Sequence, residues 1–372
     1  LVVEPFSFSI EASSRDEADA WWEAHRPEAV EIPAIDPSVT DLVDARDVLD
    51  TGIALAAALE AAIPAFGGKA SHLAALTSIG EQVPVPDAFV IPAYHYRQFM
   101  TSHGFDADVE ALLADDAFLD DPLVRDESLE ALRSAMLSAE VDPALEADLL
   151  AKLAADHPGV RMRFRSSTNA EDLDGFTGAG LYTSASGRPG DPERPVLDAL
   201  RTVWASTWNL RAFEERSYRG IDHMGVGMAV LVHRSFPDEE ANGVALTANP
   251  YDITGLEPGF YVNVQVGEES VVLPDPGVTS DQFVYYFEMP GQPVSYIGHS
   301  SLIPDGTTVL TRTQIHSLGV ALMAIHDLFR PVYGTLPGDW YAMDVEFKFD
   351  GDPGEVPALV VKQARPHPGW GP

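Results

Sequence analysis

The chain contains no cysteine. Disulfides, thiolate metal sites and a cysteine nucleophile are therefore excluded together. No stretch reaches the ~20 consecutive apolar residues of a membrane span; the nearest, 53–66, is short and carries Glu60. No secretory signal pattern stands at the start. The first residue is Leu1 rather than methionine, which leads us to expect a trimmed or processed start. Positive charge is scarce: 23 Lys and Arg stand against 58 Asp and Glu, a net charge of −35. Such a chain repels nucleic acid and anionic membranes and stays soluble by self-repulsion. A saline habitat or a cationic partner would equally explain the excess.

What is present is enough for two or three compact units, since 372 residues with 45% hydrophobic content can bury a sizeable core. Residues 1–62 read as an acidic, proline-punctuated accessory segment, in which helical pieces are expected at 16–25 and 44–62. The character changes at Gly67-Gly68-Lys69, a glycine turn expected to open a helix with Leu73, Leu76 and Ile79 at helical spacing. A strand is expected over 88–91, three scaffold helices over 106–156, a strand over 160–166 and one long amphipathic helix over 195–218. The helix at 195–218 should bury Leu197, Leu200, Trp204 and Trp208. Strands dominate the rest, at 226–233, 243–248, 261–266 and 282–287. A helix at 313–329 interrupts them, and a hairpin pairs 342–349 with 358–364. The mixture implies an α+β fold with one helix-rich and one sheet-rich lobe.

Several residues could carry chemistry. In a strand, residues two apart share a face, so Arg161, Arg163 and Arg165 line one side while Met162 and Phe164 pack on the other. Three guanidiniums together call for an anion, either the chain's own carboxylates or a bound one. The loop that follows is rich in hydroxyls and glycine (Ser166 to Asn169, then Gly175, Gly178 and Gly180), the material of a phosphate cradle. Lys69, at the start of a helix, suits phosphate for the same reason. Asp344 and Glu346, again two apart, can hold Mg²⁺, whose hard oxygen ligands include substrate phosphates. On the return strand Gln363 and Arg365 repeat the spacing. Glu269, or equally its neighbour Glu268, could serve a ribose or the metal. His223 and His233 read as structural, and Trp204 and Trp208 as core.

In chain order, Gly67-Gly68-Lys69-Ala70 with Val83 to Val90, Arg165-Ser166-Ser167 with Ala170-Glu171-Asp172-Leu173, and Val203 to Ser206 form the first blocks. Gly243-Val244-Ala245 with Asn249-Pro250, Glu269 to Val272, Asp344-Val345-Glu346, and Gln363 to Pro366 complete the set. Together they resemble the nucleotide-binding domain of the pyruvate phosphate dikinase and phosphoenolpyruvate synthase family, over about four-fifths of the chain. Gly178 to Tyr182 is closer to glucan water dikinases, and Leu273-Pro274-Asp275-Pro276 departs from the family pattern. The resemblance implies a two-lobed ATP-grasp-like fold, with lobes at 63–232 and 233–372, that holds ATP and Mg²⁺ in the cleft. Lys69, Arg165 and Arg365 are then expected to act on the transferring phosphates. Gly175, Gly178, Glu269 and Gln363 join them in binding the nucleotide, and Asp344 and Glu346 bind the metal.

It implies as well a dikinase-type transfer to a histidine on another domain or partner, and ATP use favours the cytoplasm. Ser71-His72-Leu73-Ala74-Ala75 is superficially like such a histidine loop, but it lies inside the helix after Lys69. The alternative is a nucleotide-responsive binding module without turnover. The final acceptor stays open among pyruvate, a glucan, an antibiotic and a protein side chain.

Overall fold

The acidic lead-in begins as a small antiparallel hairpin, β1 (Val2–Glu4) with β2 (Ser7–Ser9). Helix α1 (Arg15–His25) follows, opened by a capping box in which Ser14 and Glu17 satisfy each other's backbone N–H groups. No residue of α1 is buried, so the cap rather than packing defines it. The computed structural model describes residues 2–4, 7–9, 12–171, 173, 176–178, 180–252, 254, 256–334, 340–351 and 356–369. Gly175 and Asp172 lie outside the described residues.

The helix expected at 44–62 is instead three pieces. Strand β3 (Val43–Asp44) and a 3₁₀ turn precede a loop in which Asp50 accepts from the Gly52 N–H, and α2 (Leu55–Thr77) starts only beyond it. An aspartate that bonds its own backbone two residues on makes a turn and ends helical propagation. Position 62, the expected end of the accessory segment, falls inside α2.

Strand β4 (Ala88–Ile91) leads into α3 (Ala93–Ser102), α4 (Phe105–Leu113), α5 (Asp116–Asp120), α6 (Pro122–Ser138) and α7 (Pro143–Asp156). Four helices thus occupy the span read as three. Asp115, Asp121 and Asp142 each cap a new start, with proline at the first position of α6 and α7.

Next come β5 (Met162–Thr168), β6 (Ala185–Gly187), α8 (Val196–Ala205) and α9 (Leu210–Tyr218). The single helix expected at 195–218 is broken by a 3₁₀ turn over Ser206–Trp208. Asn209 takes an extended conformation there, and its side-chain amide donates to the Leu181 carbonyl. Leu200, Trp204 and Trp208 are buried as expected, whereas Leu197 is only half-buried.

Strands β7 (Met228–Arg234), β8 (Ala241–Leu246), β9 (Phe260–Val266), β10 (Asp281–Tyr285) and β11 (Val294–Gly298) precede α10 (Arg312–Tyr333). The hairpin β12 (Met343–Asp350) and β13 (Ala358–Pro366) closes the chain's regular structure. Two larger antiparallel sheets result. One has the order β3-β4-β7-β5-β6, the other β11-β10-β9-β8-β12-β13.

Helices α3 to α9 bury one face of the five-stranded sheet. Helices α2 and α10 fill a second core against the six-stranded sheet, where Val345, Phe347 and Phe349 point inward. Polar residues alternate with them, so the opposite face of β12 carries Asp344, Glu346 and Lys348. Residues 235–240 carry the chain from β7 in one sheet to β8 in the other. Among the described residues no helix is long and apolar enough to cross a membrane.

Candidate functional site

The polar face of β12 meets β5 across a cleft of about 350 Å³. On β5, Met162 and Phe164 are buried against the helices, which turns Arg163 and Arg165 the other way, into the cleft beside Arg161. Lys348 and Lys362 face them from the hairpin. Five of the chain's 23 cations thus line one cleft, against three carboxylates, Glu239, Glu268 and Glu346. Within a chain of net charge −35 this is the inverted local balance that draws an anion. Burial, and then repulsion from Arg165 and Arg161, lowers the proton affinity of Arg163.

The hairpin register sets Asp344 opposite Arg365 and Glu346 opposite Gln363. Between Glu346 and Phe347 the register slips by one residue, so that Phe347 pairs with Val361 and Lys362 is the extra residue. Such a bulge re-aims a side chain, and Lys362 reaches the cleft, 3.5 Å from Glu346 Oε2. Arg165 spans both sheets. Its guanidinium donates to Glu346 Oε2 at 3.0 Å, to Gln363 Oε1 at 2.6 Å and to the Lys362 carbonyl at 3.1 Å. Arg365 grips Asp344 Oδ2 with two donors, at 3.0 and 2.7 Å.

Burial alone would raise the Glu346 carboxyl. Arg165, then Lys362, Arg365 and Lys69, outweigh that and hold it well below the usual carboxylate range. The six residues read from the sequence as phosphate and metal ligands thus fall within one charged cluster, Lys69 at its edge.

Lys69 arrives there through a break in α2. Gly67 adopts φ 74° and ψ 170° inside the helix, and Ser167 of β5 fills the gap. Its hydroxyl donates to the Phe66 carbonyl at 2.7 Å and accepts the Ala70 N–H at 2.9 Å. Lys69 Nζ then lies 3.3 Å from Ser166 Oγ and 2.5 Å from the buried Glu171. Glu171 in turn accepts the Thr168 N–H. Gly178, at φ 64°, lies so close that a Cβ there would stand 3.0 Å from Glu171 Cγ.

Asn169 fixes the base of this loop from the other side. Its amide donates to the carbonyls of Pro33 and Gly225, and its oxygen accepts the Gly227 N–H. Ala170 and Phe176 pack with Val30 and Ile32 in a small apolar cluster. The lead-in segment therefore straps the loop that carries Glu171. Truncating Asn169 to alanine strands buried backbone groups and is expected to cost about 2–4 kcal/mol. Thermal unfolding should report the loss, and hydrogen exchange should rise at residues 30–36 and 166–171 together. Exchange rising in only one of the two would remove the coupling.

The remaining candidates fall elsewhere. Glu269 turns to its own loop, where Oε1 accepts the Asp275 N–H, while Glu268 lines the cleft. The Leu273-Pro274-Asp275 turn folds back onto Glu269 and accounts for the difference. His72 is fully buried. Its Nδ1 donates to the Gly68 carbonyl, Nε2 lies 2.6 Å from the Tyr333 hydroxyl, and burial pushes the ring down to about 4. His223 stacks on Phe213 and meets Arg216. Lys362 carries no role in the sequence reading, Ser167 and Asn169 enter it only as phosphate-cradle residues rather than as the structural ties they are, and Glu171 enters only within a motif block. Among the described residues no group of three or more His, Asp or Glu could hold a metal by itself.

The family described as pyruvate phosphate dikinase, AMP/ATP-binding domain, matches residues 63–372. A phosphoenolpyruvate synthase of Aeropyrum pernix is 29% identical over 229 residues, 60% of this chain and 27% of that protein. A probable phosphoenolpyruvate synthase of Methanothermobacter thermautotrophicus is 32% identical over 189 residues, 50% of this chain and 27% of that protein. One of Archaeoglobus fulgidus is 29% identical over 324 residues, covering 82% of this chain and 40% of its own. The matched regions thus span between about a quarter and two-fifths of these relatives.

Proposed function

The chain belongs to the pyruvate phosphate dikinase AMP/ATP-binding domain family, and on that premise we propose that it is the Mg-ATP-binding half of a dikinase-type phosphotransferase. In this reading the two sheets are the lobes of an ATP-grasp-like fold, and phosphoryl groups leave ATP for a histidine on another domain or a partner. One observation supports it above others: Arg165 reaches from β5 to Glu346 and Gln363 on the opposing hairpin, so one guanidinium joins both lobes at an anion-seeking cleft.

Phosphate oxygens would take the place of Glu346 as the partner of Arg165, with Lys69, Lys362 and Arg365 around them and the Gln363 amide as a further donor. Cations held where negative charge concentrates are the main protein contribution to phosphoryl transfer. Asp344 and Glu346 fit Mg²⁺, because they are hard oxygen donors on one strand face, and this ion typically keeps waters and phosphates as its other ligands. Bound there, it would neutralise charge on the phosphates.

A second reading, nucleotide binding without turnover, draws support from the ion pairs of Arg365 with Asp344 and Arg165 with Glu346. They give both arginines a carboxylate partner in the absence of a ligand.

Calorimetric titration tests the first reading. The wild-type chain should bind ATP, and more tightly with Mg²⁺. Asp344→Asn should lose most of that Mg²⁺ enhancement, at least about tenfold in affinity. An unchanged enhancement would remove Asp344 from the metal site, and no binding at all would sink the reading. Sustained ATP consumption by the purified chain would dispose of the second reading.

A further inference from the structure

Helix α9 carries an arginine into the core of the helix-rich half. Arg216 is 0% exposed, and a guanidinium keeps its proton, and so its charge, even there. Its Nε donates to His223 Nδ1 at 3.1 Å, and its Nη1 lies 3.5 Å from the Tyr182 hydroxyl. Its Cζ stands 5.5 Å from the centre of the Trp208 ring. Nη2 has no hydrogen-bond partner among the described residues, and none of their carboxylates is within ion-pair reach of Arg216. His223 supplies no countercharge, since burial and then Arg216 itself push its ring down to about 3. Buried charges are paired as a rule, so the compensation for Arg216 lies further out.

The Tyr182 hydroxyl shows where. Burial raises its pKa, Arg216 lowers it and Glu171 raises it, so both charges act on one hydroxyl, which also meets the Thr168 side chain. The Thr168 N–H in turn donates to Glu171 Oε2 at 3.2 Å. A continuous polar path thus runs from Arg216 through Tyr182 and Thr168 to Glu171. That carboxylate is 1% exposed, and its other oxygen holds Lys69 Nζ at 2.5 Å. Glu171 therefore stands between Lys69, at the edge of the cleft, and Arg216, among the helices.

Resting on the proposed nucleotide reading, we infer that Arg216 is a positioning residue for the phosphate clamp, holding the countercharge for Glu171 when Lys69 turns to the phosphates of ATP. In the empty site Lys69 neutralises Glu171. Once phosphate oxygens take Lys69, Glu171 is a buried carboxylate stripped of its contact partner, which is costly. In a medium of low dielectric the field of Arg216 reaches it without contact. Arg216 does not touch the nucleotide; it acts by leaving Lys69 free to go. Without that charge Glu171 keeps Lys69, and the nucleotide meets a clamp short of one cation.

Calorimetric titration of MgATP into the full chain tests the inference. Arg216→Gln should weaken binding at least about tenfold, because Lys69 stays on Glu171. In a Glu171→Gln chain there is no carboxylate to hold Lys69. There the same substitution should change affinity less than about twofold, while thermal unfolding still falls in both backgrounds. An arginine that only supports the fold would weaken binding equally in both, and that result overturns the inference while the nucleotide reading stands. Loss of MgATP binding in Glu171→Gln itself overturns it too, since Lys69 would then need that carboxylate rather than have to leave it. If the wild-type chain binds no nucleotide, both fall. Should Arg216→Gln not fold, Tyr182→Phe, which removes the hydroxyl on the path, decides. Weaker binding that Glu171→Gln cancels supports the inference, and unchanged binding overturns it.

Discussion

Gly67→Ala is expected to lower the unfolding midpoint by roughly 5 °C, through a loss of about 4 kcal/mol. The backbone at Gly67, φ 74° and ψ 170°, belongs to a region essentially reserved for glycine, and a side chain there costs about 1–3 kcal/mol. Sterics add to this. A Cβ would stand 2.2 Å from the carbonyl oxygen of Ser167 and 2.3 Å from its carbon. Both are main-chain atoms of a central strand and cannot rotate away. Helix α2 and strand β5 must therefore separate, and Ser167 loses its bonds to Phe66 and Ala70.

Gly104→Ala is the matched control, since Gly104 has φ 78° with nothing within 4 Å of the added carbon. It carries the backbone strain alone, about 1 kcal/mol. Calorimetric melting of the two variants separates the terms. Equal midpoints would mean that α2 does not approach β5 as closely as described.

What the sequence disclosed and what it hid divide along physical lines. Period-two alternation is a local property, so the arginine face of β5 and the carboxylate face of β12 were legible from residue spacing alone. The bulge between Glu346 and Phe347 is not. Strict alternation would place Lys362 opposite to Gln363, on the inner face, and nothing in the letters Val361-Lys362-Gln363 signals a slipped register. An unbroken helix over 195–218 follows from local spacing because Trp204 and Trp208 keep the helical period through the break. The break depends on Asn209 reaching Leu181, a contact of tertiary origin. The pairing of Lys69 with Glu171 spans 102 positions and arises only once β5 has docked on α2. Short edge strands such as β6 and β11 escaped for a related reason, since three or five residues carry too little periodicity to register.

Arg165→Ala is expected to weaken MgATP binding at least a hundredfold, beyond detection in a calorimeter at ordinary concentrations. Arg165, on β5, is hydrogen-bonded both to a β12 carboxylate and to two groups of β13 in the other sheet. Its loss removes a phosphate donor and the cross-lobe tie together. The fold should lose about 2–3 kcal/mol as well, because Glu346 is left half-buried beside an empty place. Arg165→Lys should restore little, since one ammonium cannot reproduce a planar fork that serves three acceptors.

The double variant Arg165→Ala with Glu346→Ala separates the two losses. With no uncompensated carboxylate it should recover part of the stability and none of the binding. Acidity gives an independent check. The wild-type Glu346 carboxyl is held below its ordinary value of 4.5, so its stabilising contribution is complete above that pH and fades as pH falls toward the depressed value. The stability gap between wild type and Arg165→Ala should therefore be widest near neutrality and narrow below about pH 4.5 in urea titrations. A gap that stayed constant across that range would mean that the Arg165–Glu346 pair contributes no net charge stabilisation. Binding that survived the substitution would move the phosphate clamp away from β5 altogether.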